Sequence, residues 1–177
     1  ELILNEMKMK MIISKNNSGL LDVKDDSGLT ALHIACSYKI NKVFEILFEN
    51  SLEDSTTIQN NDGQTPLFIA CLHGHHEQVQ KLLSHPNKNK IINIYDTTGT
   101  TPLHIACQNG FVPIAASLLE HGADVSIVNN DNNTVLHIAC FKGDLSTSMV
   151  KLLVMNPFID INARNFAGST PLHICCM

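Results

Sequence analysis

The sequence predicts an all-α repeat solenoid, on three observations. A seven-residue word recurs five times: Thr30–Cys36 (TALHIAC), Thr65–Cys71 (TPLFIAC), Thr101–Cys107 (TPLHIAC), Thr134–Cys140 (TVLHIAC) and Thr170–Cys176 (TPLHICC). Successive threonines of the word stand 35, 36, 33 and 36 residues apart, a period that belongs to stacked supersecondary units. Each word follows a turn signal, and a second apolar stretch of helical spacing follows it, so one unit reads turn, helix, turn, helix.

The turn comes first in each unit. Two residues before each threonine stands Gly28, Gly63, Gly99, Asn132 or Gly168, residue types that reach positive φ at least cost. Three residues further back come Asp25, Asn60, Asp96, Asn129 and Asn165, whose short acceptors can hold a turn by taking backbone N–H groups two residues on. The threonine then suits a helix N-cap. Pro66, Pro102 and Pro171 suit the first helical turn, where a missing N–H is no loss, while Ala31 and Val135 depart from that pattern.

The first helix is short and apolar almost all round, as in Leu103, Ile105, Ala106 and Cys107, and ends near Asn109 and Gly110. Such a helix has to be covered on several sides. The second starts at Pro113 and carries one apolar stripe (Ile114, Ala115, Leu118, Leu119) before Gly122 stops it. In the longer repeats the surplus is expected in the second helix and its exit, from Gly74 to Pro86 and from Gly143 to Pro157. Asn132 in place of Gly, and Lys39 where other repeats have Gly, make their turns slightly costlier, by about 1 kcal/mol or less each.

Composition excludes several function classes. The chain has 177 residues, 44% apolar and 16% charged, a globular mix. Net charge is −5, and Arg164 is the single arginine, so clustered cations for tracking phosphates are lacking and nucleic acid is not expected as a partner. No apolar run approaches the roughly 18 residues of a membrane span, and membrane insertion of this segment is not expected. All six cysteines lie in the words, five of them at the word's last position and so almost evenly spaced, unlike a compact disulfide framework. An intracellular, cytoplasmic setting with six free thiols is the expectation.

These residues resemble the ankyrin-repeat family, whose unit is a turn, or β-hairpin finger, plus two antiparallel helices, with a 33-residue period and a T-P-L-H-x-A word. The resemblance covers Asp25 to Met177, and Leu2 to Val23 reads as the second helix and exit of a partial unit. One array over 1–177 is expected: a partial repeat at 1–24, complete repeats at 25–59, 60–95, 96–128 and 129–164, and a partial one at 165–177. Neither end reads as a polar capping repeat, so the chain is expected to be a fragment of a longer protein. Fraying is expected first at Leu2 to Val23.

Four words place a His three residues before the Cys: His33/Cys36, His104/Cys107, His137/Cys140 and His173/Cys176. Tetrahedral zinc needs four ligands around one point, yet these come two per repeat on helices about 8–10 Å apart. The expectation is therefore a small buried slot for each Cys and a scaffold hydrogen bond near the turn for each His; Phe68 replaces the His once without visible compensation. Buried thiols with no nearby cation are expected to be inert. His73, His75 and His76, with Glu77, read as a solvated turn. No phosphate loop, nucleophile elbow or deep carboxylate pair appears, so no catalysis, cofactor or metal is expected.

What remains is surface. In a stacked array, turn tips and the exposed side of the first helices line up as a concave binding strip. Comparing repeats, the tips vary at Lys24, Gln59, Tyr95, Val128 and Arg164 and at Asp26, Asn61, Thr97, Asn130 and Phe166; the helix ends vary at Tyr38, His73, Asn109 and Lys142 and at Ser37, Leu72, Gln108 and Phe141. The candidate partner-binding residues are Lys24, Asp26, Tyr38, Asn61, Asp62, His73, Tyr95, Thr97, Gln108, Asn109, Val128, Asn130, Phe141, Arg164 and Phe166. Tyr38, Tyr95, Phe141 and Phe166 are the expected anchors, and Asp26, Asp62 and Asp131 bias the strip towards a partly basic partner. The expected function is a non-catalytic, monomeric scaffold for a protein or peptide, with end-to-end stacking possible. The alternative is a cytosolic regulatory arm of a larger membrane channel or enzyme.

Overall fold

The structure, a computed structural model, describes residues 21–51, 54–141 and 147–176. Most of the expected half-unit from Leu2 to Val23 lies outside these residues, as do Lys142 and Gly143. The turns form as their side chains dictate. Asp96 Oδ1 accepts the N–H groups of Thr98 and Thr100, both at 2.9 Å. Asp96 N–H to Thr100 O (2.9 Å) and Gly99 N–H to Asp96 O (3.0 Å) close the loop. Asp25, Asn60 and Asn129 repeat the arrangement, and Asn165 holds Ser169 N–H. No strand forms among the described residues, so the finger is a closed turn alone.

Positive φ at Gly28, Gly63, Gly99 and Gly168 (75° to 79°) places each turn against the next, and space is limiting at the first three. A Cβ on Gly99 would stand 2.8 Å from Asn130 Oδ1 and 3.0 Å from Asn130 N. Asn132 takes the equivalent position at φ 61° and uses its side chain, donating to Arg164 O at 2.7 Å. Lys39 adopts φ 53°, where Gly74 and Gly110 have 72° and 74°.

The threonines start the first helices, α1 (Ala31–Ser37), α3 (Pro66–Leu72), α6 (Pro102–Asn109), α8 (Val135–Cys140) and α10 (Pro171–Cys175). At α3, α6, α8 and α10 the hydroxyl accepts the backbone N–H three residues on, which satisfies one donor the helix end leaves open. These helices stack in order, each on the next. Leu32, Leu67, Leu103 and Leu136 are buried in the stack, each worth about 1.5–3 kcal/mol. Ala35, Ala70, Ala106, Ala139 and the word cysteines Cys36, Cys71, Cys107 and Cys140 are buried beside them, and their small size lets neighbouring helices close up.

The second helices, α2 (Asn41–Asn50), α4 (His76–Ser84), α7 (Val112–Glu120) and α9 (Thr147–Val154), pack behind. Their stripes, such as Val79, Leu82, Leu83 and Ile114, Ala115, Leu118, are buried. The longer repeat at 60–95 does not lengthen this helix, because α4 and α7 both have nine residues. Its surplus instead forms a short helix in the exit, α5 (Lys88–Ile91), which packs on α4 and on a 3-10 turn (Ser55–Thr57) of the preceding repeat.

Gly99→Ala and Gly110→Ala separate the two demands on a turn glycine. Both need positive φ, which costs a side chain about 1–2 kcal/mol, but nothing lies within 4 Å of a Cβ on Gly110. In urea unfolding, Gly99→Ala is expected to cost at least about 1 kcal/mol more than Gly110→Ala, because its methyl also collides with the next turn.

Candidate functional site

The word histidines are built into the scaffold. Thr101 donates its N–H to His104 Nδ1 at 3.3 Å while His104 N–H reaches Thr101 Oγ1 at 3.3 Å, a capping box with His in the usual Glu or Gln position. A nitrogen that accepts an N–H carries no proton, so the hydrogen sits on Nε2, which donates to Asn133 O of the next repeat at 3.2 Å. His33 reaches Gln64 O and His137 reaches Ser169 O in the same way, both at 3.0 Å. Both ring nitrogens of these three residues are thus engaged by their own and the neighbouring repeat, which leaves no lone pair for a metal. Phe68 fills the position with a ring 2% exposed and no polar atom.

Burial holds the word thiols in the neutral form. It pushes Cys107 up to about 12 and raises Cys36 and Cys71 as well. All six cysteines are free, and among the described residues no group of three or more His, Cys, Asp or Glu is gathered as a metal site requires.

The histidine group at 73–76 is not merely solvated. His75 Nδ1 lies 2.7 Å from Cys36 O, His73 Nε2 3.3 Å from Ser37 Oγ, and His76 Nε2 3.1 Å from Ser117 Oγ. The three rings therefore tie their repeat to both neighbours. His73 and His75 also stack at 5.8 Å, and partial burial, then the neighbouring His75, hold His73 below the usual histidine range.

Turn tips are joined by one backbone bond per junction: Asn61 N–H to Ser27 O, Thr97 to Asp62 O, Asn130 to Thr98 O and Phe166 to Asp131 O, at 2.9–3.1 Å. This row brings together the tip candidates Asp26, Asn61, Asp62, Thr97, Asn130 and Phe166. A second row joins the ends of the first helices, through His73 to Ser37 and Asn109 Nδ2 to Leu72 O (3.3 Å). Several candidates are occupied by this scaffold. Asn61 Nδ2 holds Asp26 O (2.9 Å), Asn130 Nδ2 holds Thr97 O (3.1 Å), Lys24 Nζ holds Gln59 O (2.8 Å) and an Arg164 guanidinium nitrogen holds Gly168 O (2.9 Å).

The apolar candidates are presented to solvent: Tyr38 is 73% exposed, Phe141 79%, Phe166 79%, Tyr95 58% and Val128 37%. Gln108 is exposed as well. Two features escaped sequence reasoning. Gln59 Nε2 clamps Gly63 O (2.6 Å) and Tyr95 O (3.2 Å), a ligament between tips that the 36-residue spacing of Gln59 and Tyr95 would have shown. Ile34, Ile138 and Ile174 stay partly exposed one helical turn before the variable helix ends. Ile34 stands one turn before Tyr38 and Ile138 before Phe141, on the face that i to i+3 and i+4 spacing marks, while Ile69 and Ile105 of the intervening repeats are buried.

Comparison with known proteins agrees with this geometry. The family model described as ankyrin repeats, in three copies, matches residues 52–129, 73–165 and 121–177. The chain is similar to an ankyrin repeat protein of Acanthamoeba polyphaga mimivirus, 27% identical over 159 residues that cover 88% of this chain and 20% of that one. It is similar to Rabankyrin-5 of Mus musculus, 30% identical over 159 residues, covering 90% of this chain and 13% of that protein. A nuclear factor NF-kappa-B subunit of Xenopus laevis is 39% identical over 126 residues, covering 67% and 13%. The chain thus spans a fifth or less of the length of these relatives.

Burial lowers His104 from 6.5 to about 4, against weaker opposing contributions from Asn133 O and Asp96, and it lowers His33 too. The unfolded chain therefore binds more protons below pH 6.5, and the stability present above that pH is lost as pH falls towards 4. For His104 the loss is of the order of 3 kcal/mol. Urea midpoints measured from pH 7 to pH 4.5 are expected to fall. His104→Gln, which keeps the capping box but does not titrate, is expected to flatten the slope.

Proposed function

Because the chain belongs to the ankyrin-repeat family, we propose that it is a non-catalytic scaffold that holds a polypeptide along the concave strip of turn tips and first-helix ends. Ankyrin repeats generally mediate protein–protein interaction, and the family is typically non-catalytic. The single observation that carries the reading is the exposure of Tyr38, Tyr95, Phe141 and Phe166 on a framework whose turn tips are bonded repeat to repeat through the backbone. Large aromatic side chains anchor protein partners by filling pockets at little conformational cost.

Asp26, Asp62 and Asp131, all exposed, favour a partner with basic residues between its apolar ones. In this reading residues 25–59, 60–95, 96–128 and 129–164 are the complete repeats. The same reading has the protein acting as a monomer in the cytoplasm. No described helix is long and apolar enough to cross a membrane. A second reading is a cytosolic regulatory arm of a larger membrane channel or enzyme, which would use the same strip.

Immobilised chain tests the assignment. The variant Tyr38→Ala, Tyr95→Ala, Phe141→Ala, Phe166→Ala is expected to unfold within about 0.5 kcal/mol of the parent, since these side chains are solvent-facing. Its capture of a partner selected on the parent is expected to drop at least tenfold. Unchanged capture would place the binding face elsewhere, on the second helices.

A further inference from the structure

The chain contains a single Asn-Gly pair, Asn109–Gly110, and the fold places it at the last turn of α6. Gly110 caps that helix at φ 74°, with its N–H on Cys107 O at 3.2 Å and the Phe111 N–H on Ala106 O at 3.0 Å. The Asn109 side chain reaches across the junction instead: its Nδ2 donates to the carbonyl of Leu72, the last residue of α3, at 3.3 Å. At this junction Phe68 takes the place of the word histidine, so no imidazole ties α3 to the turn that follows. The Gly110 and Asn109 bonds are both long, at or beyond the upper end of the usual range, and Gly110 is exposed. A side-chain amide beside a glycine nitrogen is a reactive arrangement, because glycine has no side chain to hinder attack by that nitrogen. Asn61 and Asn130 are instead followed by Asp62 and Asp131, and their amides make shorter bonds to the adjacent repeat, at 2.9 and 3.1 Å.

We propose that Asn109 is a spontaneous modification site, at which hydrolytic deamidation unties α6 from α3 and leaves a carboxylate in the row of first-helix ends. The attack needs the last turn of α6 to open, since Gly110 N–H must leave Cys107 O and the Asn109 amide must leave Leu72 O. The Gly110 nitrogen then gives its proton to hydroxide and attacks Asn109 Cγ. The new C–N bond closes a five-membered imide; the Cγ–Nδ2 bond breaks, and Nδ2 takes up a proton and leaves as ammonia. Water adds to one of the two imide carbonyls and breaks its C–N bond. Opening at Cγ gives aspartate, and opening at the main-chain carbonyl gives isoaspartate, whose chain runs on through Cγ. In sum one amide and one water give one carboxylate and one ammonium, with nothing oxidised or reduced. Either product has lost the donor that holds Leu72 O and carries a negative charge at the C-terminal end of α6, where the helix dipole disfavours it. Isoaspartate further adds one carbon to the main chain inside the cap.

The test incubates the folded full chain at mildly alkaline pH in heavy-oxygen water, beside a sample unfolded in urea, and maps the peptides by mass and for isoaspartate. In the folded chain Asn109 is expected to take up one heavy oxygen, with isoaspartate at that residue, at least tenfold faster than Asn61 or Asn130. Gly110→Asn keeps a residue type that reaches positive φ, as Asn132 does, and is expected to slow uptake at Asn109 at least tenfold. Asn109→Asp supplies one product at once and is expected to lower the urea midpoint below that of the parent. An Asn109 that stays intact in the folded chain while the unfolded sample reacts would overturn the proposal. Uptake at Asn61 or Asn130 as fast as at Asn109, an unslowed Gly110→Asn variant, or an Asn109→Asp variant with the parental midpoint would each do the same.

Discussion

The relay from threonine through histidine to the next repeat's carbonyl is the interaction on which the rest of the molecule depends. One imidazole closes a helix start with Nδ1 and a junction with Nε2, as His33, His104 and His137 show. It does both only while neutral, and burial between helices favours the neutral form of His33 and His104. A repeat by itself leaves that Nε2–H, the tip N–H and one face of its apolar helix without partners. The neighbour supplies all three, so folding of one unit is a condition for folding the next.

The junctions are not equal. Between the repeats that begin at Asp25 and Asn60, polar contacts dominate: His33, His73 and His75 reach across, Asn41 meets Glu77, and Lys81 pairs with Glu45. The following junction has Phe68 in the relay position and fewer polar ties. Its closest fit is the Phe111 ring against Gly74, where a Cβ would stand 2.8 Å from Cζ. Exposed ion pairs contribute little, so this junction holds by shape while the previous one holds by direction.

The turns, caps and first helices were legible in the sequence because each position has a local demand that few residues meet: positive φ at Gly99, a short acceptor at Asp96, a hydroxyl cap at Thr101. The stack was legible through its period. What lay 31–41 residues away was not. Variation at Asn61, Asn109 and Asn130 looked like freedom from the scaffold, yet their amides bond the adjacent repeat. His75 and His76 looked like a wet loop because their partners, Cys36 O and Ser117 Oγ, sit in other repeats. The surplus residues were expected in the second helix as well as its exit, and only the exit holds them; closing a longer loop costs only about 0.6 kcal/mol per doubling and leaves no compositional mark that separates the two. Among the candidates, Tyr38, Tyr95, Phe141 and Phe166 are exposed.

The small helix α5 has a consequence for how such a protein changes over evolutionary time. It leans on α4 and on the previous exit, while α3 and α6 still meet directly and the tips still bond one to one. Insertions and deletions between Ser84 and Lys90, ahead of the buried Ile91 and Ile92, are therefore absorbed at the rear margin. The pitch of the front edge is insulated from them, so lineages can lengthen or trim that margin while inheriting an unaltered spacing for whatever the front edge grips.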